Sequence, residues 1–490
     1  MSSSPCVSAA VRAPQSCSKH SESGRKRIMG DRSFDSIIIG AGQAGPSLAV
    51  TLAKRGEKVA LIEAERLGGT CINNGCTPTK TLRKSARVAY IARRAAEFGI
   101  DTGPVTVDFP RAMTRMRERV DTSRAGLESW VRGSGVEVII GHGKIEGREG
   151  EQFRVNACGE ALLAAKLFLN TGTRPFIPPI PGLDLVPALD NRSLLALSEL
   201  PEHLVIVGGS YIGLEMAQIF RRLGADVTVI EGGPALASRE NPDISAMIRE
   251  FLEAEGITVH TGVKIEKVNG TAGAITVRLD KGEASGTHLL VATGRLPNTD
   301  GLGLESIGIE TGPRGHITTN ERLETAVHGV WALGDINGRG AFTHTSYHDF
   351  EIVAENLARG TRSADERVMA YAMFTDPPLG HVGIQRYEAQ KLADEGRNIL
   401  IAEHDMKDVS RAKEESELAG RIRIIVDGDD GKVLGATMLG INADEIIQVF
   451  SNFMAAGGHW QAMRNALPVH PTVTEFMPTI LTKLTPLTRN

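Results

Sequence analysis

The sequence predicts an α/β fold in three units: two that alternate parallel strands with helices, then a C-terminal α+β unit. Three observations carry that expectation. A strand, a glycine-rich turn, a helix and a second strand follow one another from Phe34, and the same order recurs from Pro201. Glycine is 54 of 490 residues, about 11 % against a usual ~7 %, while aromatic residues make up 4 %, a balance that suits tight strand-to-helix turns. Past residue 348 the pattern changes to paired strands joined by a tight turn. At roughly 150 residues per domain, the length also fits three units.

Composition bounds the function. Lys plus Arg is 55 and Asp plus Glu is 59, so a net charge of −4 offers no global field for nucleic acid or an anionic membrane. The uncharged stretch 36–53 is broken by Gly40, Gly42, Gln43, Gly45 and Pro46, and reads as strand, loop and helix rather than a membrane span. No Gly-Lys-Ser/Thr, His-Glu-x-x-His or Cys-x-x-Cys sequence occurs, so no P-loop and no metal-ligating set is expected. Five cysteines are too few for a secreted disulfide framework and fit a reduced, cytoplasmic compartment. Residues 1–33 carry nine serines, six basic residues and only Glu22 and Asp31 as acids. They read as a disordered tail, or as an over-extended start with Met29 the initiator.

The first ordered unit is "SFDSIIIGAGQAGPSLAVTLAKRGEKVALIE". Its strand runs into Gly40, Gly42 and Gly45, a G-x-G-x-x-G that opens a helix, and Glu63 closes the next strand. The second unit, "PEHLVIVGGSYIGLEMAQIFRRLGADVTVIE", places Gly208, Ser210 and Gly213 at the same positions and ends at Glu231. Gly208 lies 168 residues after Gly40, and Glu231 lies 168 after Glu63. Such equal spacing points to two Rossmann-like dinucleotide-binding units. Small residues let the backbone approach a pyrophosphate, the helix N-terminus supplies N–H groups, and the terminal carboxylate accepts from an adenosine ribose. A carboxylate at Glu231 would repel a 2′-phosphate, so the second unit is expected to favour NADH over NADPH. The Ser210 side chain crowds the middle position.

Thr171-Gly172 and Thr293-Gly294 each end a strand and read as crossings between units, and Gly334-Asp335 follows a short apolar strand. In the third unit, "RIRIIVD" and "KVLGATMLG" read as strands joined by "GDDGK". They precede a helix from Asn442, with Glu445 completing a capping box and Ile446, Ile447, Phe450, Phe453 and Met454 forming its apolar face.

The chemical centre is "GGTCINNGCTPTK", residues 68–80. Cys71 and Cys76 flank a turn, and Pro78 fits the first turn of a helix expected to run to about Phe98. That places Cys76 at a helix N-terminus, where the dipole favours thiolate, with Lys80 one turn on along the same face. The pair reads either as a redox-active disulfide beside an electron carrier or as two ordinary cysteines in a turn. Cys6, Cys17 and Cys158 lie in polar surroundings and read as non-catalytic. "HPTVTE" holds His470 and Glu475 around a helix start capped by Thr472. It is either an acid/base dyad or a surface histidine beside a helix.

In this order the motifs resemble the FAD-dependent pyridine nucleotide–disulfide oxidoreductases over residues 34–490. The resemblance implies an FAD-binding domain (34–176 with 290–347), an NAD(P)-binding domain (177–289) and a dimerisation domain (348–490). FAD would be held by Gly40, Gly42, Gly45, Glu63, Lys80, Thr171, Gly172, Gly334 and Asp335. NADH, or NADPH in its place, would be held by Gly208, Ser210, Gly213, Glu231 and Gly294. Cys76 would be the flavin-side thiol, Cys71 the thiol that attacks substrate, and Lys80 would lie near the flavin paired with Glu215. In a homodimer, His470 and Glu475 would reach the Cys71–Cys76 disulfide of the other subunit. Segments 342–353 and 373–383 are similar to those of the mercuric-reductase-like subgroup that includes the reactive-chlorine-resistance flavoprotein. The substrate is then a small-molecule disulfide or a soft metal ion. The alternatives are a dihydrolipoamide dehydrogenase and a flavin redox sensor without turnover.

Overall fold

A computed structural model describes residues 32–488, so the expectations for the N-terminal tail, Cys6 and Cys17 lie outside the described residues. The first unit is built on a seven-stranded sheet. Its centre, Arg32–Ile39, pairs in parallel with Val59–Glu63 on one side and Glu160–Leu169 on the other. Ile37, Ile38 and Ile39 are all buried because helices and loops cover both faces, which is why the strand reads as an unbroken apolar run. Val330–Ala332 also pairs in parallel with Glu160–Leu169, returning a late segment of the chain to the first sheet.

The second unit is a four-stranded parallel sheet in the order Thr258–Thr261, Asp226–Glu231, His203–Val207, His288–Val291, with a three-stranded antiparallel sheet beside it. The two crossings pair with each other, Thr173–Pro175 against Arg295–Pro297, and form a ribbon between the units. The third unit is a six-stranded antiparallel sheet against which the helix Ala443–Ala455 packs Ile446, Ile447 and Phe450. Among the described residues no helix is long and apolar enough to cross a membrane.

Several boundaries move. His288–Val291 pairs with Leu204 to Val207 along its whole length, so the second unit extends past the expected seam at 289/290. The helix Thr343–Leu357 spans the expected seam at 347/348. Its Ile352, Val353 and Ala354 share a core with Leu48, Ala49 and Leu52 of the first turn helix, which packs its body on the first unit, while His344 at its start lies 2.7 Å from Ala370 O of the third. The helix from Cys76 stops at Arg93, and a separate 3₁₀ turn covers Ala95–Phe98. The expected capping box at Asn442 does not form. Asn442 sits in the left-handed region with φ 58°, and its side chain makes no cap bond.

Candidate active site

The two glycine turns are built alike. A Cβ at Gly40 or Gly45 would collide with backbone oxygens of Asn170 and Gly40, and one at Gly208 or Gly213 with those of Ala292 and Gly208. The middle position is different. A Cβ at Gly42 would come 3.0 Å from the Asn170 side-chain oxygen, and Ser210 is exposed. Serine is accommodated at 210 with its side chain exposed, while backbone clashes force glycine at the first and third positions of both turns. Each terminal carboxylate folds onto its turn. Glu63 Oε2 accepts from the Ala41 N–H at 2.8 Å, and Glu231 Oε2 from the Gly209 N–H at 2.7 Å.

Both turn helices, Gly45–Lys54 and Tyr211–Leu223, begin without a side-chain cap and without an acidic residue in the first turn. Apart from the Gly45 N–H, which donates to Asn170 Oδ1, first-turn N–H groups beside close-packed glycines fit the pyrophosphate of a dinucleotide. The crossings fit the same role. Gly172 and Gly294 have φ of 65° and 134° with open space at the Cβ position. Thr171 Oγ1 donates to Asn298 O, and Asp335 accepts from Thr173 Oγ1 at 2.9 Å. Burial raises the Asp335 carboxyl above its usual range.

Cys71 lies within the short helix Gly69–Asn74, and Cys76 begins the helix Cys76–Arg93. The turn between them is fixed by Asn73, which donates to Leu67 O and Gly69 O, both at 3.0 Å, and by Asn191, which donates to Asn74 O at 2.8 Å. Both sulfurs are free thiols. Their proton affinities diverge. A hydrogen bond from Cys71, aided by the Thr343 hydroxyl and the Lys80 charge, lowers Cys76 to about 6. The same hydrogen bond, with burial, pushes the Cys71 thiol well up. Both shifts favour the anion on Cys76 over Cys71.

Lys80 Nζ donates to Glu215 Oε2 at 2.6 Å and lies 4.1 Å from the centre of the Phe374 ring. Glu215 is buried and also accepts from the Phe374 N–H at 2.8 Å. A cation is thus pinned one turn from Cys76. His470 and Glu475 sit apart from this cluster. His470 Nδ1 is 2.7 Å from Glu475 Oε2, and the histidine side chain is 77 % exposed. Thr472 caps the following 3₁₀ turn by accepting from the Glu475 N–H. Cys158 lies on a turn at φ 54°, donating to Ile140 O.

Four residues at this site were not singled out from sequence. Asn170 is buried, accepts from the Gly45 N–H and donates to Leu333 O, so it staples the first turn to two strand ends. Arg295 follows Thr293-Gly294 and donates to Thr173 Oγ1 at 2.7 Å and to Thr70 Oγ1 at 3.3 Å, placing a cation next to the residue preceding Cys71. Thr343 reaches Cys76, and Phe374 reaches Lys80 and Glu215, only through tertiary packing. Asn170 and Arg295 adjoin the Thr-Gly crossings, and that adjacency was the available signal.

Residues 34–349 match the family model of the pyridine nucleotide-disulphide oxidoreductases, and residues 369–480 match that family's dimerisation domain. The chain belongs to this family. A probable pyridine nucleotide-disulfide oxidoreductase, RclA of Escherichia coli K12, is 33% identical over 448 residues, covering 90% of this chain and 97% of that protein. A mercuric reductase of Streptomyces lividans is 34% identical over 434 residues, 86% of this chain and 90% of its own. A dihydrolipoyl dehydrogenase of Bacillus subtilis is 30% identical over 450 residues, 89% of this chain and 96% of its own. The solved structure of the HOCl-induced flavoprotein disulfide reductase RclA from Escherichia coli superimposes with a TM-score of 0.82 at 33% identity, covering 92% of this chain and 99% of that one. Members of this family are enzymes, FAD-dependent flavoproteins that use NAD(P)H.

Proposed function

We propose that the chain is an NADH-dependent reductase that passes electrons through FAD to a Cys71–Cys76 disulfide and on to a disulfide or a thiophilic metal ion. The observation that carries the reading is the pair of free cysteines flanking a tight turn, with Cys76 at a helix start and the Lys80–Glu215 ion pair one turn on along that helix. FAD, when bound, supplies a hydride acceptor and a two-electron donor. Gly40, Gly42, Gly45, Glu63, Thr171, Gly172, Gly334 and Asp335 would hold it, and Gly208, Ser210, Gly213, Glu231 and Gly294 would hold the nicotinamide nucleotide. Lys80 places positive charge where electrons arrive, and Glu215 with Phe374 keeps its ammonium in place.

The chemistry at sulfur balances as follows. Two electrons and two protons convert the disulfide to two thiols, and Cys76 then releases its proton. Cys71, once deprotonated, attacks a substrate disulfide, forming a mixed disulfide and expelling one thiolate. The partner subunit's His470, oriented by its Glu475, would take the Cys71 proton and give it to that leaving group. Cys76 thiolate then attacks Cys71, restoring the disulfide and expelling the second half of the substrate as a thiolate, which takes up the equivalent of the proton that Cys76 released. With a metal ion, the two electrons would reduce two equivalents of Cu(II) to Cu(I), or one of Hg(II).

Two findings favour the metal-capable subgroup. RclA is among the relatives that cover the whole fold, and one of its solved structures is titled as a Cu(II) complex, with a TM-score of 0.83. No cysteine follows Cys158, so any metal reduction here would rest on Cys71 and Cys76. The test is NADH oxidation by purified enzyme with lipoamide, glutathione disulfide, Hg(II) and Cu(II). Turnover with one of the last three, lost in Cys71→Ser, is the expected result. Lipoamide turnover at ordinary dehydrogenase rates would instead assign the chain to the dihydrolipoyl dehydrogenases.

A further inference from the structure

We infer that Glu240 is a positioning residue for the nicotinamide nucleotide, the joint through which the third unit sets the shape of the second glycine turn. The inference deepens the electron route proposed above and rests on it. The chain between the strand Asp226–Glu231 and the helix Pro242–Ala254 brackets that turn. At one end of the bracket Glu231 accepts from the Gly209 N–H. In its middle the Ala237 N–H donates to Gly209 O at 2.8 Å. At its other end Glu240 Oε1 accepts from the Tyr211 hydroxyl at 2.6 Å. The residues on either side of the exposed Ser210 are therefore tied to one segment, Gly209 at both its N–H and its carbonyl. The segment bends sharply to make these contacts. Ala237 sits in the left-handed region at φ 44°, a conformation that persists in a non-glycine residue only where the surroundings fix it, and the Glu240 N–H closes the bend on Ala237 O at 2.8 Å.

The far side of Glu240 belongs to the third unit. Tyr371, on the strand Ala370–Met373, donates to the same Oε1 at 2.8 Å, so two phenols from two units share one carboxylate oxygen. Gln385 Nε2 lies 3.1 Å from Oε2 and 2.7 Å from the Tyr371 hydroxyl, and its Oε1 accepts from Asn241 Nδ2 at 2.8 Å. Glu240, Asn241 and Gln385 are all buried. Further along, Arg421 and Arg423 of the third unit pair with Asp243 at the start of the next helix. A buried carboxylate must keep its donors, because each one lost leaves charge that neither water nor protein solvates. Tyr211, Tyr371 and Gln385 are thus held as a set. Glu240 reaches the nucleotide turn through Tyr211 and through the bend at Ala237, and the third unit holds it there.

The test titrates NAD+ onto the oxidised, FAD-loaded protein by calorimetry, where no turnover occurs. Tyr371→Phe keeps the ring and its stacking and removes one donor to Glu240, and Glu240→Ala removes the joint. The dissociation constant should rise about three- to tenfold in Tyr371→Phe, a part of the worth of one hydrogen bond to a charged group, and at least as much in Glu240→Ala. Because Tyr371 acts through Glu240, the double variant should bind no more weakly than Glu240→Ala alone. Flavin absorbance per chain should stay at the wild-type level in all three. An unmoved dissociation constant in either single variant, an additive double variant, or a loss of flavin in step with the weaker binding overturns the inference. Wild-type protein that binds no NAD+ overturns the electron route itself, and the inference with it.

Discussion

Glu231 gives its charge a fixed address. Its Oε2 accepts from the Gly209 N–H and its Oε1 from the Gly233 N–H, each at 2.7 Å, so the carboxylate cannot swing away from the end of its strand. A 2′-phosphate brought there would add a second anion at close range in a partly dehydrated cleft. NADH should therefore exceed NADPH in kcat/KM by about tenfold or more, a difference of roughly 1.4 kcal/mol. Glu231→Gln should narrow that ratio, and a wild-type preference for NADPH would refute the assignment. Glu231, like the glycines, was legible because its role is imposed locally: a Cβ at Gly45 or Gly213 meets backbone within its own turn. Asn170, Arg295 and Thr343 were not, because each acts across a long sequence separation on a partner that no spacing rule names. Ser210 was legible as a departure at the middle position, and its side chain is exposed where a dinucleotide would approach.

Two helices and one loop carry the site between them. The helix Cys76–Arg93 contributes Lys80, Arg83 and Arg87, and the helix Tyr211–Leu223 contributes Glu215, Gln218 and Arg222, both at i, i+3 and i+7. All six meet the loop of Phe374, Thr375 and Asp376 from the third unit. Lys80 and Glu215 contact Phe374, Arg83 donates to Thr375 O, and Gln218 pairs with the Asp376 backbone. Arg87 and Arg222 both form ion pairs with the Asp376 carboxylate. Arg222 is 4 % exposed, bonds Glu255 at 2.7 Å, and stacks 3.7 Å over the Tyr90 ring. Its neighbouring cations hold the Asp376 carboxyl below the usual range. Removing Asp376 leaves Arg222 with Glu255 as its carboxylate partner and Arg87 with Glu417, so part of each cation's pairing survives. Asp376→Ala should destabilise the protein by about 1.5–3 kcal/mol, seen as a lower thermal midpoint, and an unchanged midpoint would show that Glu255 and Glu417 suffice to hold the two cations. Periodicity revealed the buried stripe of each helix, but not this polar stripe, which reads as a solvated face until a third element is laid against it. The failed capping box at Asn442 has the same origin, a local pattern overridden by the backbone's left-handed turn.

Across the whole molecule, the order of motifs along the chain was enough to read three units, because each motif is local and the units follow one another. What sequence cannot carry is where the third unit's dyad acts. His470 is 77 % exposed while Glu475 is packed, and Leu467 and Val469 beside it are 94 % and 73 % exposed. An imidazole fixed by a packed carboxylate, exposed beside apolar side chains that are themselves exposed, fits the proposed service to another chain. The chain carries its family's dimerisation domain across this region, residues 369–480. Under the proposed shared site, Cys71→Ser and His470→Ala homodimers should each be impaired. Subunits of the two variants, mixed and exchanged, should then recover activity. A mixed dimer has one site that lacks both groups and one site that has both. Half of the dimers in an equal mixture are mixed, so recovery should approach about a quarter of wild-type activity per subunit. If the dyad served its own chain, every site in the mixture would lack one group, and exchange would recover nothing. Subunit exchange should be confirmed by native mass spectrometry, so that an inactive mixture containing mixed dimers counts against the shared site.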